Sequence, residues 1–221
     1  MKNVLIGIFI PLFAGTVFSQ TTTAPGFTYF GSSLDILYGT RLFNENFYAQ
    51  LNTIGHFKFA EPVQVAGLGF SGGVPVTGRS RSYYKYGHWS YCQVIPQRIS
   101  VNDTLKCNIN GYLMSVDLLG TDLFRKAYAF HLLASLGFNT GRLRLHGNEW
   151  ARQKNPFFAP RISLQPKVRI GRLLFSIRAD YEWDVSSVNW RKTYFAKSNK
   201  ADLQKFKQSC LTLFFCMGYM Q

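Results

Sequence analysis

The sequence predicts an all-β chain: a single up-and-down antiparallel eight-stranded transmembrane β-barrel with short periplasmic turns and long basic outer loops. Three observations predict it. The first twenty residues, MKNVLIGIFIPLFAGTVFSQ, read as an export signal, and no later apolar run is long enough for a spanning helix. Eight segments of about 8–14 residues alternate between apolar and polar, the period of a strand. The links between those segments alternate between short and long, as hairpin turns and outer loops do in such barrels.

The N-terminus places Lys2 before an apolar stretch that runs to Phe18, with small Ser19 following and Val17 two residues earlier. That is the layout of a secretory signal, with cleavage after Ser19, so residues 1–19 are assigned to the signal and 20–221 to one barrel domain. An exported chain without a spanning helix resides in a membrane only as a closed barrel, because every backbone polar group then finds a partner.

The segments are 27–39, 47–59, 63–74, 112–119, 127–138, 160–170, 172–183 and 207–220. In RLLFSIRADYEW, one face carries Leu173, Phe175, Ile177, Ala179, Tyr181 and Trp183, and the other carries Ser176, Arg178, Asp180 and Glu182. PRISLQPKVRI sets Ile162, Leu164, Val168 and Ile170 against Arg161, Ser163, Gln165, Lys167 and Arg169. The closing segment puts Leu211, Leu213, Phe215, Met217 and Tyr219 on one face. In a membrane barrel the apolar face meets lipid and the polar face fills the lumen. The segments read as lumen-facing supply Asp35, Lys58, Asp117, Arg161, Lys167, Arg169, Arg178, Asp180 and Glu182. An eight-stranded interior is just wide enough for side chains, and buried charges need partners, so these residues are expected to form lumen ion pairs.

The remaining stretches, 75–111, 139–159 and 184–206, read as long outer loops rich in Lys and Arg, including Arg79, Arg81, Arg98, Arg152 and Lys197. The whole chain carries a formal charge of +14. Within the loops, Arg142, Arg144, Arg191 and Lys192 are expected to contact anionic surface groups, with Trp150 and Trp190 anchoring at the interface. Basic residues interleaved with aromatics also suit nucleic acid. For an exported chain the nearer anion is the phosphate of the outer leaflet, so lipopolysaccharide is the expected partner and nucleic acid is not. Cys92 and Cys107 share the loop 75–111 and are a disulfide candidate in an oxidising compartment, closing a loop worth roughly 3 kcal/mol. Cys210 and Cys216, six residues apart on one strand face, are about 20 Å apart and cannot bond each other.

Catalytic patterns are sparse. His131 and Ser135 share a face but are about 13 Å apart by strand rise, which rules out a dyad. His88 and His146 read as solvated loop residues. The sequence holds no Gly-x-Ser-x-Gly, no metal-ligand spacing and no phosphate-cradling loop, so no cofactor is expected.

The leader MKNVLIGIFIPLFAGTVFS, the alternating segments and the closing CLTLFFCMGYM together resemble the small eight-stranded outer-membrane β-barrels of Gram-negative bacteria. Members of that family commonly end on an aromatic residue, whereas this chain ends Tyr219-Met220-Gln221. The resemblance implies the outer membrane as location, in a family that includes structural barrels, adhesins, lipid enzymes and subunits of larger secretion complexes; with catalytic patterns sparse, the expected function is a non-enzymatic barrel whose basic outer loops engage anionic groups or a partner protein. A subunit of a larger translocation or assembly complex and a lipid A-modifying enzyme are the alternative implications.

Overall fold

Eight antiparallel strands close into one barrel in a computed structural model. It describes residues 32–45, 47, 62–77, 82–100, 106–123, 130–147, 150–186 and 208–220. The strands are β1 (Ser33–Phe43), β2 (Val63–Thr77), β3 (Ser82–Ser100), β4 (Lys106–Asp122), β5 (Phe130–Gly147), β6 (Trp150–Ile170), β7 (Leu173–Glu182) and β8 (Cys210–Met220). Each strand pairs with its neighbours in sequence, and β1 pairs with β8 to close the ring. The first and last strands thus leave no unpaired edge between them, which removes the liability of an open sheet.

The strand list corrects the sequence reading inside the stretches 75–111 and 139–159. The expected strand 47–59 falls, apart from Phe47, outside the described residues, and the ring of eight closes with β2 beginning at Val63. The eighth strand is β3, inside the stretch 75–111 that read as a loop. The stretch 139–159 is likewise not a loop: it forms the ends of β5 and β6, joined across 148–149. Four strands, β3 to β6, therefore run for 17–21 residues, while β7, β8 and β1 run for 10 or 11.

The links sort to two ends. Links 44–62, 101–105, 148–149 and 183–209 lie at one end, here the loop end. Links 78–81, 123–129 and 171–172 lie at the other, which also holds the start of β1 and the finish of β8, here the terminal end. Arg79 and Arg81 thus belong to a link at the terminal end, since that link joins the register pair Thr77 and Ser82. The sequence reading had placed them with the long loops.

Alternation along each strand sets the faces. On β7 the residues Leu174, Ser176, Arg178, Asp180 and Glu182 turn inward and are buried, while Leu173, Ile177 and Tyr181 face outward. Bulges shift this phase where a strand must bend. One lies between Asp117 and Leu119 on β4, so Leu118 and Leu119 both face outward and Asp122 turns inward again. Another lies between Val94 and Gln97 on β3, where Pro96 has no N–H to give the ladder.

Candidate functional site

The inward faces assemble a polar core. Arg161 on β6 stands opposite Gly137 on β5, and a Cβ at that glycine would come within 3.0 Å of the Arg161 Nη2. The space so left lets the guanidinium reach two carboxylates, Asp117 on β4 and Asp180 on β7, the latter at 2.8 Å. Arg178 lies two residues before Asp180 on the same face and donates to it through Nε at 2.7 Å. Two arginines and two aspartates, each no more than 3% exposed, thus neutralise one another inside the barrel.

Smaller sets flank this one. Arg41, nearer the loop end of β1, donates to Glu182 at 2.9 Å, and Thr212 donates to the other Glu182 oxygen at 2.6 Å. The Arg41 guanidinium lies 4.9 Å from the ring centre of Phe157 and 5.2 Å from that of Phe43. Asp35, nearer the terminal end, accepts from Ser33 at 2.8 Å and from Ser71 at 2.7 Å, and Lys167 donates to Ser71 at 3.3 Å. His131 and Asp122 meet at 2.5 Å across the β4–β5 hairpin. Apolar side chains fill the loop end of the interior, where Phe47 stacks on Phe43 at 4.1 Å over Val63, Val94, Ile109 and Leu143.

Of the expected lumen residues, Asp35, Asp117, Arg161, Lys167, Arg178, Asp180 and Glu182 all lie in this buried interior. Arg169 is half-buried at the terminal rim, where its Nε donates to the Gly171 carbonyl at 3.0 Å. Lys58 falls outside the described residues. Sequence parity puts Ser33 on the polar face beside Asp35, but Arg41, Thr212 and Ser71 were missed. Arg41 was lost because the first strand was ended at Gly39, yet it holds the same alternation phase as Asp35.

The disulfide expectation is overturned. Cys92 is a free thiol buried inside the barrel in the middle of β3, with Leu113 as its register partner on β4. The backbone of Cys107 pairs with Ile99 instead, seven positions along the strand from Cys92, about 23 Å by strand rise. His88 is corrected too: it is a buried interior residue of β3, its Nδ1 3.8 Å from Asp35.

The outward surface is a second feature. From Leu173 to Val185 on β7 and onward, from Leu34 to Leu42 on β1 and from Leu211 to Tyr219 on β8, no outward residue is charged. On β6 the outward residues from Pro156 to Ile170 are likewise uncharged, and on β5 those from Phe130 to Thr140. Beyond Thr140 the next two outward positions of β5 are Arg142 and Arg144. Aromatic pairs stand near this level: Tyr91 with Tyr112 at 6.0 Å, Phe138 with Phe158 at 5.3 Å, and Tyr181 edge-on to Trp183 at 4.7 Å. Arg142 is the register partner of Tyr112. Arg142 and Arg144 are thus strand residues, not loop residues. The Trp150 backbone begins β6, while its side chain and the whole of Trp190, Arg191 and Lys192 lie outside the described residues.

No family model and no curated protein sequence matches this chain. Among solved structures it is similar to Ail, the attachment invasion locus protein of Yersinia pestis, determined with the heparin analogue sucrose octasulfate. That likeness has 13% identity, covers 85% of this chain and 96% of the other, and has a TM-score of 0.47. It is also similar to the translocator domain of the autotransporter NalP from Neisseria meningitidis, at 8% identity over 98% and 97% of the two chains, with a TM-score of 0.34. The barrel itself is read from its own strand pairing.

Proposed function

We propose that this chain is a non-enzymatic outer-membrane β-barrel of a Gram-negative bacterium. Its loop end faces outward and engages anionic surface groups, lipopolysaccharide phosphates first among them. The observation that carries this reading is the outward face. Large apolar residues such as Ile36, Leu68, Ile162, Ile177 and Phe215 are exposed around the wall, where water would penalise them. About 9–11 tilted residues cross a bilayer core, and Phe130 to Thr140 on β5 is a run of that length, ended by Arg142 and Arg144. Aromatic rings at the boundary and arginine just beyond it suit an interface that presents phosphate. Residues 1–19 act as the export signal in this reading, and a lumen filled with ion pairs makes the barrel a scaffold instead of a pore.

Lipopolysaccharide copurification tests the reading. A variant with Arg142, Arg144, Arg191 and Lys192 all changed to Gln should fold, migrate normally and retain much less lipopolysaccharide than the parent. For the parent, retention should weaken as salt is raised. An unchanged lipid load in the variant would remove the loop end as a lipopolysaccharide site and favour a protein partner there.

A further inference from the structure

The terminal end carries its own cationic feature. Link 171–172 closes β6 onto β7 with Gly171 at φ 62°, the left-handed conformation that two-residue hairpin links give to glycine. The tight link fixes Arg172 between Ile170-Gly171 and Leu173, with Ile170 and Leu173 outward-facing and exposed. The carbonyl of Arg172 accepts from the Met220 N–H at 2.9 Å, which ties the turn to the closing strand. Its guanidinium is solvent-exposed and donates through Nη1 to the Tyr219 phenol at 3.3 Å. Tyr219 faces outward opposite Leu173. Arg169 brings a second guanidinium to the same turn through its bond to the Gly171 carbonyl.

Two cations therefore sit at the foot of an apolar wall. Among the described residues neither has a carboxylate partner. Of the described acids toward this end, Asp122 is bonded to His131 and Asp35 accepts from Ser33 and Ser71 inside the barrel. The other two links at this end, 78–81 and 123–129, add Arg79, Arg81, Arg125 and Lys126 in sequence and no acidic residue. The charge at this end is unbalanced, and the surface that leads up to it is apolar. A soluble anion has no use for the wall, and a neutral lipid has no use for the arginines.

We propose that the Gly171 turn is a headgroup site for an anionic phospholipid of the leaflet at the terminal end. Arg172, steadied by the Tyr219 phenol, and Arg169 take the phosphodiester, while Ile170, Leu173 and the Tyr219 ring carry the acyl chains. The site rests on the membrane reading above, but it lies at the opposite end of the barrel from Arg142 and Arg144 and takes a different lipid.

The test reconstitutes the purified protein into vesicles of phosphatidylcholine alone or mixed with phosphatidylglycerol, re-extracts it in mild detergent and counts retained lipid by mass spectrometry. The parent should retain phosphatidylglycerol in excess of its share in the vesicle. Arg172→Gln and Arg169→Gln should each lower that excess by roughly fivefold, the effect of removing about 1 kcal/mol of attraction per basic residue at an anionic surface. Tyr219→Phe should lower it less, because the ring remains. Heat-modifiable gel mobility should be unchanged in Arg172→Gln, since Arg172 is exposed and outside every strand. No excess in the parent, or an undiminished excess in Arg169→Gln/Arg172→Gln, overturns the site. Loss of the parent's excess on adding inorganic phosphate would assign the pocket to free phosphate and also overturn it. If the parent inserts into neither vesicle, the membrane reading itself falls; insertion without selectivity removes the headgroup site alone.

Discussion

Asp180→Asn is the sharpest perturbation of the barrel interior. The Asp180 carboxylate accepts from Arg161 at 2.8 Å and from Arg178 at 2.7 Å, and none of the three is more than 1% exposed. The substitution keeps the shape and removes one negative charge. Two guanidinium groups then share the single carboxylate of Asp117, which lies 3.6 Å from Arg178. Removing one partner of a buried pair typically costs about 3–5 kcal/mol, because the other charge stays buried without compensation. Urea unfolding of the reconstituted protein, followed by gel mobility and tryptophan fluorescence, measures the loss. A double variant, Arg178→Met/Asp180→Leu, removes a cation with its anion and leaves Arg161 with Asp117. It should lie within about 2 kcal/mol of the parent, since apolar replacement of a whole buried pair is often neutral. A single variant within about 0.5 kcal/mol of the parent, the range of ordinary surface changes, would refute the interior network as a stabilising unit.

Ile177→Arg places a charge on the outward face of β7, where Ile177 is 59% exposed, and should cost about 2–4 kcal/mol in vesicles if that site lies near the midplane, while Ile177→Leu should be close to neutral. Gly218→Ala would drive its Cβ against Asp35 Oδ1, and should cost about 1–3 kcal/mol in the same urea assay. Planar-bilayer recordings should show no stepwise conductance, and discrete openings would contradict a filled lumen. Maleimide labelling of the native protein should leave Cys92 unmodified and label it only after unfolding, and rapid native labelling would contradict its burial.

The barrel was legible wherever the two faces of a strand contrast in polarity. On β7 outward Phe175, Ile177, Ala179 and Tyr181 alternate with inward Ser176, Arg178, Asp180 and Glu182, on β8 every second residue from Leu211 to Tyr219 is apolar and faces outward, and the segments read from sequence match these strands to within a few residues. The reading failed where strands leave that contrast. On β5 the alternation reverses beyond Phe138, because outward positions turn from apolar to Arg142 and Arg144 while the inward ones turn from His131, Ser135 and Asn139 to Leu143. Pairing between backbones continues there, but hydropathy no longer reports it. β3 was missed for a related reason: its outward residues Trp89, Tyr91 and Gln93 and its inward residues His88, Ser90, Cys92 and Val94 differ little in polarity. Aromatic and basic residues in SYYKYGHWSY looked like a binding loop and are a strand. The interior charges other than Arg41 were legible as a set wherever the strand bounds were right, because parity then assigns them. Their partners were not, because Arg161 meets Asp117 across 44 residues and Arg41 meets Glu182 across 141.

Membrane residence is the claim on which the rest depends, and fractionation of the expressed protein tests it most directly. Ile36, Leu68, Ile162, Ile177, Leu213 and Phe215 form an exposed apolar wall around the barrel. Such a wall predicts that the protein sediments with outer membranes, resists extraction by high salt and urea, and changes gel mobility on boiling in detergent. Recovery of folded protein from the soluble periplasmic fraction without detergent would contradict the account, and the apolar wall would then have to be covered by another protein surface.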